Sequence, residues 1–447
     1  MRARPFAALL LAVLLPLAAC DSAGPGPDDP PESGTPETAV DLRGDVAPAF
    51  GGTPYPSGSQ VFYVSRTHVA MVGTDGRPRR VRAMAGFAGF ENEGYHGAAP
   101  DGAGGLVLVG TTTPVNDYTF QTTVVRLDAS LDVVWARVYA QSTINTPYSG
   151  NRLALTGGDG QRIVVLDLFR LLPLRLDTGE PLAPVAYADQ ALTWLGGRAD
   201  ADGYTAVGRS GGTLVAARHR WSGERVWARA SAPGDTGEDL LQLGTPVPTA
   251  DGGLLVPYTY VRHTTVPEAG VVRLRADGTV AANWQPVVRL LQPRASGATT
   301  TFQNSPRTGS VLRVGADGQV YGVTELVSSR GETMAFTFPI GTDAPAASGT
   351  VYGDAVVPLA GGYLYRGPDG LHRGTTGGCT PRPMESIDLE VADGGRPFTL
   401  TAQSGLAAQP QTLASQPATI TLTDVSLASV PPPAEVEACA RLAVQPG

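Results

Sequence analysis

Three segments of this chain repeat one order of residues, and that repetition constrains the fold more than any other feature. Asp101-Gly102 leads through Leu106-Val107-Leu108-Val109-Gly110 to Val124-Val125-Arg126-Leu127-Asp128, then to Val133-Val134-Trp135-Ala136-Arg137. Asp202-Gly203 leads through Tyr204-Thr205-Ala206-Val207-Gly208 to Leu214-Val215-Ala216-Ala217, then to Arg225-Val226-Trp227-Ala228-Arg229. Asp251-Gly252-Gly253 leads through Leu254-Leu255-Val256 to Val271-Val272-Arg273-Leu274, with Asp277-Gly278 as a turn and Trp284 near the end. Each unit reads as consecutive antiparallel strands joined by Gly-containing turns. Weaker copies start near Val61 (turn Asp75-Gly76), Leu153 (Asp177-Thr178-Gly179-Glu180), Val311 (Asp317-Gly318) and Val351 (Asp369-Gly370).

About seven units over residues 60–378 average roughly 46 residues each, the length of a four-stranded propeller blade. One small sheet cannot bury both of its faces, whereas radial repetition covers them and leaves only short edges. The expectation is therefore an all-β chain folded as a β-propeller, seven-bladed with six or eight as alternatives, and with Trp135, Trp227 and Trp284 wedged between blades. The 56 glycines and 38 prolines suit many short strands and tight turns. A β-sandwich array is the other fold these strands could build. The units resemble the propeller repeats of secreted bacterial proteins, in which a Gly-Gly-apolar-Gly line precedes Val-Val-Arg-Leu-Asp and a Trp-bearing strand. Beyond Cys379 the pattern changes: Ser386 to Ala392 alternates, strand-like runs follow at Phe398–Ala402 and Ala418–Leu427, and Pro431-Pro432-Pro433 lies beyond. Residues 379–447 read as a small C-terminal β appendix or closing segment.

At the other end, Arg2 and Arg4 precede an apolar run from Phe6 to Ala19 that is too short to span a bilayer. Residues 1–19 thus read as a signal peptide. Its end, Leu17-Ala18-Ala19-Cys20, resembles bacterial lipoprotein signals, and the resemblance implies that Cys20 carries the lipid and becomes the mature N-terminus; an ordinary secretory signal is the alternative. Residues 20–59 read as a lipid-anchored flexible linker, because from Asp21 to about Ala39 Pro, Gly, Ser and acids predominate and little apolar surface is available to offset chain entropy. With Cys20 assigned to lipid, Cys379 and Cys439 remain as a disulfide pair in an oxidising compartment or as two free thiols.

Composition excludes several chemistries. There is no lysine, so a Schiff base, a P-loop lysine and a lysine general base are ruled out. Removing Arg2 and Arg4 with the signal takes the formal net charge from −8 to −10, which disfavours nucleic acid as a partner. His68, His96, His219, His263 and His372 show no HxH or HExxH spacing and read as surface or hydrogen-bonded loop residues. Asp200 and Asp202 resemble part of a calcium loop, but the third spaced acid is missing and a turn is the stronger reading. Gly208-Arg209-Ser210-Gly211-Gly212 lacks the nucleophile-elbow pattern. Arg79, Arg80 and Arg82 read as a solvated basic face. Leu176-Asp177-Thr178-Gly179-Glu180 and Trp221 to Trp227 are similar to fragments of the repeat of quinone-dependent dehydrogenases, although no unit carries the full motif.

No catalytic residue, metal or cofactor is assigned. The functional expectation is a cell-envelope lipoprotein, held at the membrane by its N-terminal lipid, whose non-catalytic propeller binds a protein or glycan partner. In expected anchor and fold class the chain resembles the propeller lipoprotein of the outer-membrane barrel-assembly machinery, with no residue-level match specific to it. The alternative is an envelope enzyme, a quinone-dependent dehydrogenase or a sugar-active hydrolase or lyase, with carboxylates or histidines converging at the axis.

Overall fold

The computed structural model describes residues 40–41, 53–115, 120–140, 153–156, 160–167, 169–189, 191–231, 240–261, 268–281, 286–294, 302–304, 311–314, 320–328, 333–339, 349–351, 354–359, 362–367, 370–375, 386–393, 400–403, 406–410, 413–425, 427 and 443–446. All belong to one contact unit, Glu37–Gly447. Among the described residues every regular element is a strand, and the strands pair into seven sheets.

After β1 (Val40–Asp41), sheet I holds β2 (Thr53–Ser57), β3 (Gln60–Val64), β4 (His68–Gly73) and β5 (Pro78–Phe87). Sheet II holds β6 (Phe90–Pro100), β7 (Leu106–Pro114), β8 (Gln121–Leu127) and β9 (Val133–Tyr139). Sheet III follows with β10 (Leu153–Thr156), β11 (Arg162–Asp167), β12 (Arg170–Arg175) and β13 (Val185–Tyr187), and sheet IV with β14 (Leu192–Ala199), β15 (Gly203–Ser210), β16 (Thr213–Arg220) and β17 (Arg225–Ser231). In sheet V, β18 (Leu240–Leu243) and β19 (Val247–Pro248) share β20 (Leu254–Val261), which continues to β21 (Glu268–Leu274) and β22 (Pro286–Arg294). In sheet VI, β23 (Phe302–Asn304) and β24 (Val311–Val314) share β25 (Val320–Ser328), followed by β26 (Thr333–Pro339) and β27 (Gly349–Val351). Sheet VII has β28 (Asp354–Leu359), β29 (Gly362–Gly367) and β30 (Gly370–Thr375), and β1 completes it, pairing Val40 with Leu371 and Asp41 with Gly370. The strands β2 to β30 pair antiparallel within their sheets and follow one another in chain order, while β1 joins sheet VII from the other end of the chain.

Two of these strands fall where the sequence places a linker. β1 and β2 lie within residues 20–59, so the ordered body begins earlier than the expected start at residue 60. A two-residue strand and the segment Thr-Pro-Tyr-Pro-Ser carry no alternation of their own; they are strands because β30 and β3 offer them edges.

The sheets pack face to face in a closed order. In β7, Leu106 and Leu108 join β3, β4 and β5 side chains in the core between sheets I and II, while Val107 and Val109 join Ile163, Val165, Leu172 and Leu174 between sheets II and III. All four are fully buried, which is why the strand reads as a continuous apolar run and not as an alternation. Full burial of such a side chain contributes about 1.5–3 kcal/mol. Further cores join sheets III with IV and IV with V. β20 approaches β24, and β24 to β26 approach β28, carrying the order through sheet VI to sheet VII. Val357, Leu364 and Leu371 of sheet VII then pack on Val61, Tyr63, Ala70, Val72 and Val81 of sheet I. The last sheet thus covers the first, as in a fold of the β-propeller type.

The segment after residue 379 does not form an appendix with a sheet of its own. Its strands β31 (Ser386–Asp393), β32 (Leu400–Ala402), β33 (Ala408–Pro410), β34 (Ser415–Pro417) and β35 (Ile420–Asp424) pair antiparallel with β22, β17, β13, β9 and β5, the outermost meander strands of sheets V, IV, III, II and I in turn. The final strand, β36 (Ala443–Pro446), returns to sheet V and pairs in parallel with β31.

Candidate functional site

The residues that recur in the repeat meet at one end of the sheets, where the first strand turns into the second and the third into the fourth. In sheet II, Asp101 opens the β6–β7 turn. Its Oδ1 accepts the Ala103 and Gly105 amides at 2.8 Å each, and its Oδ2 accepts Arg126 Nε at 3.1 Å and Nη2 at 2.9 Å. Asp101 is 2% exposed, so the guanidinium replaces the water that a buried carboxylate would otherwise lose. Sheet IV repeats the arrangement: Asp200 Oδ1 accepts the Asp202 and Gly203 amides at 3.1 Å, and Arg218 approaches both carboxylate oxygens at 2.9 and 3.1 Å. Sheet V repeats it again with Gly253 N, Asp251 and Arg273, the last pair at 2.7 Å. Although burial works the other way, the hydrogen bonds and charge of Arg218 hold the Asp200 carboxyl below its ordinary range. Hydrogen bonds from Thr249 and then Arg273 bring Asp251 down to about 2. The calcium-like spacing at Asp200 and Asp202 is therefore a turn whose carboxylate is taken up by Arg218. Among the described residues no three His, Cys, Asp or Glu side chains converge as a metal site would require.

The tryptophans act across sheets at the same end. Trp135, on β9, donates Nε1–H to Leu176 O at 2.8 Å in sheet III and lies over Gly179, where an added Cβ would sit 2.7 Å from its ring. Gly179 has φ +70°, and Arg137 Nε donates to the carbonyl just before it, Thr178 O, at 2.7 Å. Trp227 of sheet IV lies over Gly278 of sheet V in the same manner, an added Cβ falling 2.6 Å from its ring, and Arg229 Nε donates to Asp277 O at 2.9 Å. The two fragments similar to quinone-dehydrogenase repeats are thus a receiving turn and a docking tryptophan. Trp284 lies outside the described residues.

Sheet I lacks the tryptophan. By register, Arg80 opposite Met71 occupies the place that Trp135 occupies opposite Arg126. Arg80 Nη1 donates to Ser130 O, the carbonyl equivalent to Thr178 O, and the next residue is Leu131 instead of glycine, fully buried at φ +59°. Where the partner ring is missing, a leucine fills the space. Arg80 and Arg82 also bind Asp132 and Asp424, with Arg82 Nη1 at 2.9 Å from Asp132, while Arg79 pairs with Asp75 at 2.7 Å. Of the cluster expected as a solvated face, Arg79 remains exposed beside its own turn, whereas Arg80 and Arg82 form a clasp between sheet I, sheet II and β35. The Arg80 hydrogen bond holds the Asp424 carboxyl below its usual range.

His219 departs from its expected surface or loop placement. It lies on β16, fully buried, stacked on Tyr204 at 5.5 Å between ring centroids and edge-on to Tyr187. Its Nδ1 faces Gly223 O at 3.1 Å, which can only accept, so Nδ1 carries the proton and Nε2 accepts the Tyr187 hydroxyl at 2.6 Å. Burial lowers its pKa to about 4. The isolated histidine gave no spacing signal, because its partners come from β13 and β15. His68 bonds Thr67 Oγ1 at 2.8 Å, His96 and His372 lie on β6 and β30, and His263 is outside the described residues. Ser210 ends a hairpin strand and donates to Asp189 Oδ2 at 2.6 Å, a structural contact. Cys20, Cys379 and Cys439 are also outside the described residues.

No protein-family model and no curated protein sequence matches the chain. Among solved structures, Drosophila Semaphorin 1a extracellular domains 1–2 are 9% identical over 78% of this chain and 90% of theirs, with a TM-score of 0.37. The WD40 domain of SCAP from fission yeast is 7% identical over 72% of this chain and 82% of its own, with a TM-score of 0.32. The GH43 protein BlXynB from Bacillus licheniformis is 11% identical over 87% and 98%, with a TM-score of 0.30. The propeller type of this chain rests on its own all-β make-up and on the closed order in which its sheets pack.

Proposed function

We propose that this chain is an exported lipoprotein, anchored through Cys20, whose seven sheets are the blades of a seven-bladed propeller serving as a rigid, non-catalytic platform for a protein or glycan partner. The observation that carries this reading is the use to which the repeat puts its recurring polar residues. Asp101–Arg126, Asp200–Arg218 and Asp251–Arg273 stand at the same place in three sheets, each closing a turn. Arg137 and Arg229 reach the neighbouring sheet in the same way. A fold that devotes its repeated charges to its own frame is a scaffold, with recognition left to parts that do not repeat. A Cys379–Cys439 disulfide belongs to this reading, since two cysteines in an oxidising exported compartment pair more readily than they stay free.

Two measurements test this reading. Incorporation of an alkyne-palmitate label into the full chain is expected, with loss of label and release from the membrane fraction in Cys20→Ser; an unlabelled, soluble wild-type chain would sink the anchor. Screening the purified chain against envelope glycans and peptides is expected to give saturable binding without turnover. Hydrolysis, lyase cleavage or dye reduction coupled to a quinone cofactor would replace the scaffold with an enzyme.

A further inference from the structure

At the junction of sheets III and IV the frame departs from its own rule. One core position of the second strand, and the residue that faces it on the third, are aliphatic in four sheets: Val61 and Val72 in sheet I, Leu106 and Leu127 in sheet II, Ile163 and Leu174 in sheet III, Leu254 and Leu274 in sheet V. In sheet IV they are Tyr204 and His219. Five rings are thereby joined in one run from surface to core. The half-buried Trp221 lies 5.5 Å from Tyr204 between ring centroids, Tyr204 stacks on His219 at 5.5 Å, His219 meets Tyr187 edge-on at 5.9 Å, and Tyr187 meets Trp194 at 5.1 Å. Burying an imidazole and a phenol where leucine serves elsewhere costs desolvation, and a local rule broken inside a regular frame is where function is expected.

The two tyrosines paired with His219 are not equivalent. Tyr204 Oη is buried and has no hydrogen-bond partner among the described residues, so its proton has nowhere to go. Tyr187 Oη donates to His219 Nε2 at 2.6 Å, within reach for proton transfer, while Nδ1 of the same ring is held by Gly223 O. One-electron oxidation of a phenol makes its O–H strongly acidic, so of these two only Tyr187 can lose an electron and pass its proton to a base in the same step. At the surface end, Trp221 is fixed by its Nε1–H on Asp200 O at 3.0 Å. The Arg162 guanidinium lies 5.1 Å over the indole, where it opposes a positive charge on the ring and drives that charge inward.

We propose that Tyr187 and His219 form a proton-coupled redox site, reached through Trp221, that takes up single oxidising equivalents from an oxidant of the radical or high-valent metal class. The oxidant removes one electron from Trp221. An electron from Tyr187 refills the indole by way of the His219 and Tyr204 rings, the Tyr187 O–H bond breaks, and an N–H bond forms at His219 Nε2. The products are a neutral phenoxyl radical, an imidazolium and the reduced oxidant, and no proton leaves the protein. Arg225, whose charge acts on both rings, opposes the imidazolium, so the proton returns to Tyr187 once an electron is supplied again. This site is independent of the lipid anchor and of any bound partner.

Flash oxidation of the full chain tests this. Photo-oxidised tris(bipyridine)ruthenium, generated in solution with an electron acceptor, is expected to leave a neutral tyrosyl radical whose electron paramagnetic resonance carries a proton coupling from the His219 Nε2–H that deuterium oxide removes. Tyr187→Phe keeps the ring and is expected to abolish that signal. His219→Leu installs the residue found at this place in sheets II, III and V and is expected to slow radical formation on the order of 100-fold by removing the base. Trp221→Phe is expected to slow formation while leaving the radical itself unchanged. A wild-type chain that yields no radical, or one without the exchangeable coupling, would overturn the proposal, as would a signal that survives Tyr187→Phe or a rate unaltered in both His219→Leu and Trp221→Phe.

Discussion

Substituting Gly179 by alanine tests the Trp–Gly clasp directly, because two costs add there and a control separates them. The first is backbone: a non-glycine residue held at φ +70° costs about 1 kcal/mol. The second is steric. The new Cβ would sit 2.7 and 2.8 Å from Trp135 ring carbons and 3.0 Å from Arg137 Cδ, so the indole has to give way from a place where it also donates to Leu176 O. Overpacking of this kind costs about 1–3 kcal/mol. Gly211, at φ +57°, has nothing within 4 Å of an added Cβ, so Gly211→Ala carries the backbone cost alone. For a unit the length of Glu37–Gly447 the unfolding entropy is roughly 0.9 kcal/mol/K. Gly179→Ala should therefore lower Tm by about 2–4 °C and Gly211→Ala by about 1 °C. Calorimetry with both variants reads the difference, and equal shifts would mean that Trp135 does not bear on the turn.

Three further outcomes follow from the same geometry. Leu131→Gly empties a buried site and should cost about 2–4 kcal/mol, and Arg80→Trp should clash with Leu131; together they rebuild the Trp–Gly pair between sheets I and II, with a favourable coupling of about 1–2 kcal/mol in a double-mutant cycle. Zero coupling would show that the positions do not face one another. His219, fully buried, has a folded pKa of about 4 against an ordinary value of 6.5, so the unfolded chain takes up the proton first. Its contribution is complete above pH 6.5 and is lost as pH falls towards 4, by about 3 kcal/mol; the Tm–pH slope across that window should flatten in His219→Gln, and an unchanged slope would contradict the buried neutral ring. Non-reducing peptide mapping should recover a Cys379–Cys439 link whose loop of about sixty residues is worth roughly 4 kcal/mol, and two alkylatable thiols in the native protein would exclude it.

The sequence made the frame legible wherever a unit stated its rule in local residues. Asp-Gly, Val-Val-Arg-Leu and Trp-Ala-Arg correspond to a turn, a third strand and a fourth strand in sheet II, and each weaker copy coincides with a sheet. The strand preceding each Asp-Gly was harder to read, because inner strands such as β10 (Leu-Ala-Leu-Thr) and β14 (Leu-Thr-Trp-Leu-Gly-Gly-Arg-Ala) share no motif. His219 was illegible because its environment is assembled from β13 and β15. The clasp needed two sheets to be seen at once: Trp135 and Gly179 are far apart in sequence, and only the substitution of both where sheet I meets sheet II, Arg80 for the ring and Leu131 for the glycine, shows that they form one unit.

The C-terminal segment along the outer edges of sheets V to I, in effect a strap, was present in the sequence in a form that neither strand nor helix periodicity detects. Leu400, Leu406, Leu413, Ile420 and Leu427, which pack on the cores between IV and V, III and IV, II and III, I and II, and I and VII, repeat at close to seven residues, which in a helix would mark a heptad face. Proline at 410 and 417 forbids that reading, and the segment lacks the length of strand that would form a sheet by itself. The period belongs to the body beneath: it is the distance between neighbouring inter-sheet cores, measured in extended residues. The last strand, β36, lies parallel to β31 on sheet V, where this segment begins its course. Ring and strap therefore specify each other: the seven-residue spacing has a target only if the sheets are evenly set around a closed order, and the outer edges of five sheets are covered only because the tail follows that order backwards.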